Sequence, residues 1–257
     1  MQGMVPLSGF GGVPYSAVRK AAPRNILDNS DFTNLVAQAG IGGNHGTIAY
    51  AADRWILDSG TVSYEAGVGL TLNGTIHQKL EFPPTGETSA FVGMASGAAS
   101  ISYADGEVTI TSGGGVLKWA ALYGGVYSAA TMPDYQPKGY GAELVECQRY
   151  YFRWIPTYTA SALGFVVNWT TTSARAVIYL PAAMRNQGTL PTTSFKNLKI
   201  AYRSSSTNIT PSSASVMSEG GNIIHIGLTI ENGTVGEVGY MVANDTKDAY
   251  MEISKDI

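Results

Sequence analysis

Few residues in this chain have the type and spacing for covalent chemistry. The three histidines, His45, His77 and His225, lie far apart, and none has a second histidine two or four positions away. No Gly-x-Ser-x-Gly elbow occurs, and "GFGGVP" near the start is not followed by a helical pattern, so a dinucleotide loop is not expected. One cysteine, Cys147, excludes an internal disulfide and a multi-cysteine zinc site. It is a nucleophile in principle and more simply a small buried apolar residue. Glycoside hydrolysis would need two convergent carboxylates. Asp105, Glu107, Glu143 and Glu146 are the acids to name, but Asp105 reads as a turn residue, and Glu143 and Glu146 read as the solvated side of a short connector. No enzyme is expected. Aromatic rings offer a different chemistry, because a flat ring face stacks on the C–H face of a sugar. Trp154, Tyr158 and Trp169 are the candidates for such stacking. Trp55 and Trp119 read as core anchors.

The elements that must position these residues are strands. The chain has 257 residues, 31 of them Gly, with 14% charged residues against the usual ~25%. "TVSYEAGVGLTLNGTIHQKLEF" and "ASISYADGEVTITSG" alternate apolar and polar residues. Asn73-Gly74 and Asp105-Gly106 read as tight turns between strands. "ALGFVVNWTTTSARAVIYLP" is rich in β-branched and aromatic residues. "NIIHIGLTIENGTVGEVGYMVAN" reads as a hairpin turning at Asn232-Gly233, and "AYMEISKDI" as a final strand. The fold class expected is all-β: two β-sandwich, jelly-roll-like domains at 25–136 and 154–257, joined by a connector at 137–153. Within the connector, Leu144, Cys147 and Tyr151 are spaced for a turn or two of helix, and the segment could equally enter a strand at Arg149. Residues 1–24 read as an extended N-terminal arm.

The net charge of −3, with basic residues scattered, leaves no footprint for nucleic acid. No apolar run reaches the length of a membrane span, so no membrane insertion is expected. The start "MQGMVPLSGFGGVPYS" lacks the pattern of a signal peptide, and secretion by that route is not expected.

Two segments carry a resemblance. "NILDNSDFTN", then "ADRWIL", then "TIHQKLEFPPTGETSAFVGMAS", resembles the carbohydrate-binding-module jelly rolls. Asn25, Leu27, Asn29 and Phe32 hold the opening positions, Ser30 replaces a Gly, and Gln78 takes the Gln position. "LYGGVYSAATMPDYQPKGYGAELVECQRYYFRW" resembles the connector of bacteriophage and prophage tail-fibre and appendage proteins. Its matches are Glu143, Leu144, Cys147, Gln148, Arg149, Tyr150 and Tyr151. Leu180, Pro181, Met184 and Arg185 fit the Leu-Pro-x-x-Met-Arg motif that follows. The resemblance covers about residues 23–257.

The resemblance implies a phage virion protein, made in the bacterial host cytoplasm, that binds a host-surface ligand, in all expectation a glycan. It implies a homotrimer, with the second domain distal and oligomerising. The arm, with Phe10, Tyr15 and Val18 set for burial against other virion proteins, would attach it to the particle. A structural or decorating virion protein without sugar binding is the alternative, and a glycan depolymerase the third reading. No cofactor is expected beyond a structural Ca2+ in the first sandwich, to which Asp28 and Asp31 would contribute oxygens.

Overall fold

The computed structural model describes residues 23–45, 48–157, 161–185, 189–202, 208–244 and 248–255. The arm residues Phe10, Tyr15 and Val18, and Tyr158, lie outside the described residues. The fold is all-β and sandwich-like, with one short helix among the described residues.

The first half forms one antiparallel sheet. Its strands are β1 (Asn44–His45), β2 (Ile48–Ala52), β3 (Trp55–Glu65), β4 (Gly69–Lys79), β5 (Thr88–Ser96), β6 (Ala99–Ala104) and β7 (Glu107–Gly124). The order is β1-β2-β3-β4-β7-β5, with β6 also pairing β7. The long β7 serves three partners. It runs beside β4 through most of its length, beside β6 at Glu107–Ser112, and beside β5 at Val116–Gly124. Gly113, Gly114 and Gly115 divide it, and its register with β4 shifts between Leu72 and Asn73, a bulge that strengthens local twist.

Period-2 alternation puts Leu70, Leu72 and Ile76 of β4, with Val108 and Ile110 of β7, on the inner face. The segment before β1 covers that face with Leu27, Phe32 and Leu35. Trp55 is fully buried here, and its indole N–H donates to the Asn29 carbonyl at 2.9 Å. Gln78 ties this segment to the sheet from both sides. Its Oε1 accepts from the Asp28 N–H at 2.9 Å, and its Nε2 donates to the Asp28 carbonyl at 2.7 Å.

Asn73-Gly74 is not a turn. Both residues lie inside β4, paired with Thr61 and Gly60 of β3 on one side and with Gly113 and Ser112 of β7 on the other. A Cβ on Gly74 would fall 2.0 Å from the Ser59 carbonyl oxygen, and one on Gly60 1.9 Å from that of Asn73. The glycines are there because two backbones approach closely, and the reversal comes instead at 66–68, where Gly67 has φ +79°. Asp105-Gly106, by contrast, is the β6–β7 turn, with φ 52° and 80°.

After α1 (Tyr140–Gln148), the second half begins with β8 (Tyr151–Trp154). It continues with β9 (Ala162–Asn168), β10 (Ser173–Tyr179), β11 (Thr192–Lys196), β12 (Leu198–Tyr202), β13 (Ser213–Gly220), β14 (Ile223–Thr229), β15 (Val238–Ala243) and β16 (Tyr250–Ser254). A six-stranded sheet, β12-β15-β9-β10-β14-β13, faces a three-stranded sheet, β11-β16-β8. Their inner faces share one core: Ile178, Ile200 and Ile226 from the larger sheet, Met251 and Ile253 from the smaller. This is a two-layer sandwich.

Asn232-Gly233 is not a hairpin turn either. β14 and β15 are separated by β9 and β10 in the sheet, so the segment between them is a crossover. Asn232 adopts φ 55°, and the Gly233 N–H donates to the Thr171 carbonyl at 2.9 Å, anchoring the crossover to the β9–β10 turn.

Candidate functional site

Of the two aromatic candidates among the described residues, Trp154 and Trp169, the structure brings one to the surface. Trp169 follows β9 and is 58% exposed. The turn that presents it is locally determined. The Thr170 hydroxyl accepts from the backbone N–H groups of Thr172 and Ser173, and the Trp169 N–H donates to the Ser173 carbonyl at 2.9 Å. Arg175, on the outer face of β10, holds its guanidinium 4.0 Å from the indole centroid. One ring face is therefore backed by a cation.

Beside the indole runs a groove of about 280 Å3 over β10, β14 and β13, lined by Trp169, Ser173, Arg175, Ser213, Ser215 and Met217. Gly227, paired with both Arg175 and Ser215, keeps the floor low. A Cβ there would meet the Met217 sulfur at 3.0 Å. Ser213 Oγ donates to Thr229 Oγ1 at 2.8 Å along one wall. A backed indole beside a row of hydroxyls suits a polyhydroxylated ligand bound in shallow contact.

Trp154 lies elsewhere. It is half-buried in β8 and packs against the core of the second sandwich. Trp119 is also half-buried rather than a full core anchor, stacked on Tyr135 at 5.0 Å. Asp28 and Asp31 are both engaged by protein groups. Asp28 Oδ1 accepts from Lys138 Nζ at 3.0 Å, and its Oδ2 is 3.5 Å from Arg54 Nε. Asp31 Oδ1 accepts from the backbone N–H and the hydroxyl of Thr33. Among the described residues no group of three or more His, Cys, Asp and Glu gathers as a metal site. Ca2+ takes six to eight oxygens, of which these two carboxylates would supply at most four.

The connector is a polar junction. Glu143 is not on a solvated side: it is 2% exposed. Its Oε2 accepts from the Asn29 N–H at 2.6 Å and lies 3.8 Å from Lys138 Nζ, while Oε1 has no hydrogen-bond partner among the described residues. Burial is the main cause that holds its carboxyl above the usual range, against the lowering pull of the Asn29 N–H and Lys138. Cys147 is fully buried, and burial pushes its thiol well up, so it is an inert core residue and not a nucleophile.

Tyr150 is the centre of the junction. Arg54 lies over its ring at 3.5 Å, and Arg185 is 5.1 Å from the ring centroid. The Tyr150 hydroxyl donates to Glu81 Oε2 at 2.8 Å, and burial pushes its pKa up to about 12. Beside it opens a cleft of about 260 Å3, lined by Arg54, Glu81, Phe82, Lys138, Arg149 and Tyr150 among others. Phe82 is 77% exposed at this cleft. Sequence reasoning missed the cleft, because its walls come from the segment before β1, the β2–β3 turn, the residues after β4 and the connector. The one local signal is Phe82 before Pro83-Pro84, an apolar ring placed in an extended polar turn.

No protein family, no curated protein and no solved structure matches this chain.

Proposed function

We propose that this chain is a bacteriophage virion appendage of tail-fibre type that binds a glycan on the bacterial surface. The observation that carries the reading is Trp169, an exposed indole backed by Arg175 at 4.0 Å beside a groove lined with hydroxyls. The likeness of residues 137–154 to tail-fibre connectors supports it from the sequence side. In this reading the arm, residues 1–22, attaches the protein to the particle, and the second half meets the cell.

The assembly would be a homotrimer. Its contact would use the other half of the outer face of the six-stranded sheet, away from the groove. There Phe165 and Tyr240 pair across β9 and β15 with ring centroids 5.2 Å apart, and Val238 is 57% exposed. These rings and Val238 carry no charge, so like surfaces meet without repulsion.

The test is adsorption of the purified full chain to susceptible cells, before and after periodate oxidation of the cell surface. Periodate and Trp169→Ala should each reduce adsorption severalfold. Adsorption that survives both would refute glycan binding through this groove and favour a structural role. Light scattering tests the trimer, and a monomer at micromolar concentration would refute it.

A further inference from the structure

The junction cleft is separate from the Trp169 groove and has the makings of a second site. We propose that it binds one acidic sugar unit of the surface glycan, a ring bearing a carboxylate or a phosphate. The proposal rests on the glycan-binding reading above and concerns a different part of the molecule.

Size sets the first bound. About 260 Å3 falls below the ~300–1,000 Å3 of sites that hold drug-sized ligands, so the cleft suits a single ring. Charge sets the second. Arg24, Arg54, Lys138 and Arg149 line it against Asp28, Glu81 and Glu146; Lys138 pairs with Asp28 and Arg149 with Glu81, each at 3.0 Å, which leaves an excess of one cation, Arg24. Arg185, just behind Tyr150, adds another. It is 1% exposed and hydrogen-bonds toward Tyr150, with no carboxylate at ion-pair distance among the described residues. A buried cation without a counter-charge beside it is costly, and an anion nearby offsets that cost.

Arg54 supplies the independent sign of a missing ligand atom. It is 6% exposed; its Nη2 donates to the Lys79 carbonyl at 2.7 Å, yet among the described residues its Nε has no hydrogen bond and only a 3.5 Å approach to Asp28 Oδ2. Its backbone sits at φ 73°, a strained conformation for a bulky residue, and that backbone holds the guanidinium on the Tyr150 ring. Orphaned buried donors ask for an explanation, and a carboxylate or phosphate oxygen would supply the acceptor. Phe82, exposed at the cleft, offers a ring face for the sugar's apolar side.

The experiment titrates the full chain, followed by NMR, with D-glucuronate, glucose 6-phosphate, glucose and inorganic phosphate. One or both acidic sugars should bind with a dissociation constant of about 1 mM or tighter, and glucose about tenfold more weakly. Which acidic sugar wins tells carboxylate from phosphate. Phe82→Ala, on an exposed side chain, should weaken the acidic sugar about fivefold with an unchanged melting temperature. Arg54→Gln should weaken it about tenfold, and Arg24→Gln, on the exposed rim, covers the case in which Arg54→Gln does not fold. Trp169→Ala should leave this titration unchanged. The proposal is overturned if neither acidic sugar binds, if glucose binds equally, if inorganic phosphate binds as tightly as glucose 6-phosphate, or if Phe82→Ala and Arg24→Gln both leave binding intact. Cell adsorption separates the two readings. Adsorption lost on Trp169→Ala with no acidic-sugar titration overturns the cleft alone; a sound titration without any cell adsorption overturns the appendage.

Discussion

The imidazole of His45 lies flat on the ring of Tyr151, 3.5 Å between centroids and 2° from parallel. Tyr151 belongs to the three-stranded sheet, and its hydroxyl donates to Glu252 Oε1 at 2.8 Å on β16. His45 belongs to the first sheet. One side chain therefore joins the two halves, supported by Gln38 Nε2, which donates to the Tyr151 carbonyl at 2.7 Å. Tyr151→Ala removes the stack and leaves a cavity, at a cost of about 3–5 kcal/mol. Tyr151→Phe keeps the stack and removes one donor. Glu252 retains Ser194 and Arg153 as partners, so this change should cost only about 1 kcal/mol. Urea unfolding of the two variants measures both. Equal costs would mean that the hydroxyl, not the stack, holds the junction.

Glu143 gives the junction a pH dependence with a definite sign. Its carboxyl has a folded pKa raised above the usual 4.5, with desolvation the largest cause. In the window between the unfolded and folded values the native state holds more proton than the unfolded chain, so stability falls as pH rises through it. Glu143→Gln keeps an acceptor for the Asn29 N–H and removes the buried charge. The variant should gain stability relative to the native chain as pH rises above about 4.5, and the two curves should run parallel well above the folded value. Denaturant midpoints across a pH series check this. A variant that loses ground with rising pH would mean that Lys138 and the Asn29 N–H outweigh burial.

Local chemistry was readable in the sequence where the structure is local. Asp105-Gly106 turns because those two residues can adopt positive φ with nothing opposing them. Trp55 is buried, and of the helically spaced Leu144, Cys147 and Tyr151 the first two lie in α1, while Tyr151 already opens β8. The failures are all non-local. Asn73-Gly74 has the same turn chemistry but is claimed on both sides by strands, β3 and β7. Glu143 looks solvated in its own helix, and its burial shows only once it is set against the segment of Asn29, 114 residues earlier. The Trp169 groove was half legible: the aromatic could be named, but Gly227 beneath it and Arg175 behind it required the strand register. The junction cleft was illegible, since Arg54, Phe82 and Arg149 meet only after both sheets form.

The Gly60–Gly74 pair makes a sharp prediction for stability. Gly74→Ala drives a methyl group into backbone, which has no flexible end to move. The cost should be about 3 kcal/mol or more, from overpacking and a shifted β3–β4 register together with the strain of a side chain at φ 147°. Gly86→Ala is the control. It meets nothing within 4 Å and has no positive φ. Its effect should lie within about 0.5 kcal/mol and tend to stabilise by restricting the unfolded chain. Thermal unfolding of both distinguishes close approach from a general glycine effect. A mild Gly74→Ala would show that the two strands can part without loss.

Trp154 and Trp169 have the same chemistry in sequence and different surroundings in the fold. Trp154 packs on the core that unites the two sheets of the second sandwich, and Trp169 is 58% exposed with an arginine behind it. Trp154→Ala should therefore act on stability, costing on the order of 3 kcal/mol. It should reduce cell adsorption only in proportion to the fraction unfolded. Trp169→Ala removes little buried area, so its unfolding midpoint should move by less than about 0.5 kcal/mol. Its adsorption should fall severalfold, because the flat face and the Arg175 backing are lost together. Arg175→Ala should fall between the two in adsorption, keeping the ring but freeing its orientation. The readout is denaturation and adsorption measured on the same three preparations. If Trp169→Ala destabilises as much as Trp154→Ala, the indole is a packing residue. If it changes neither quantity, the groove is not where the cell is met.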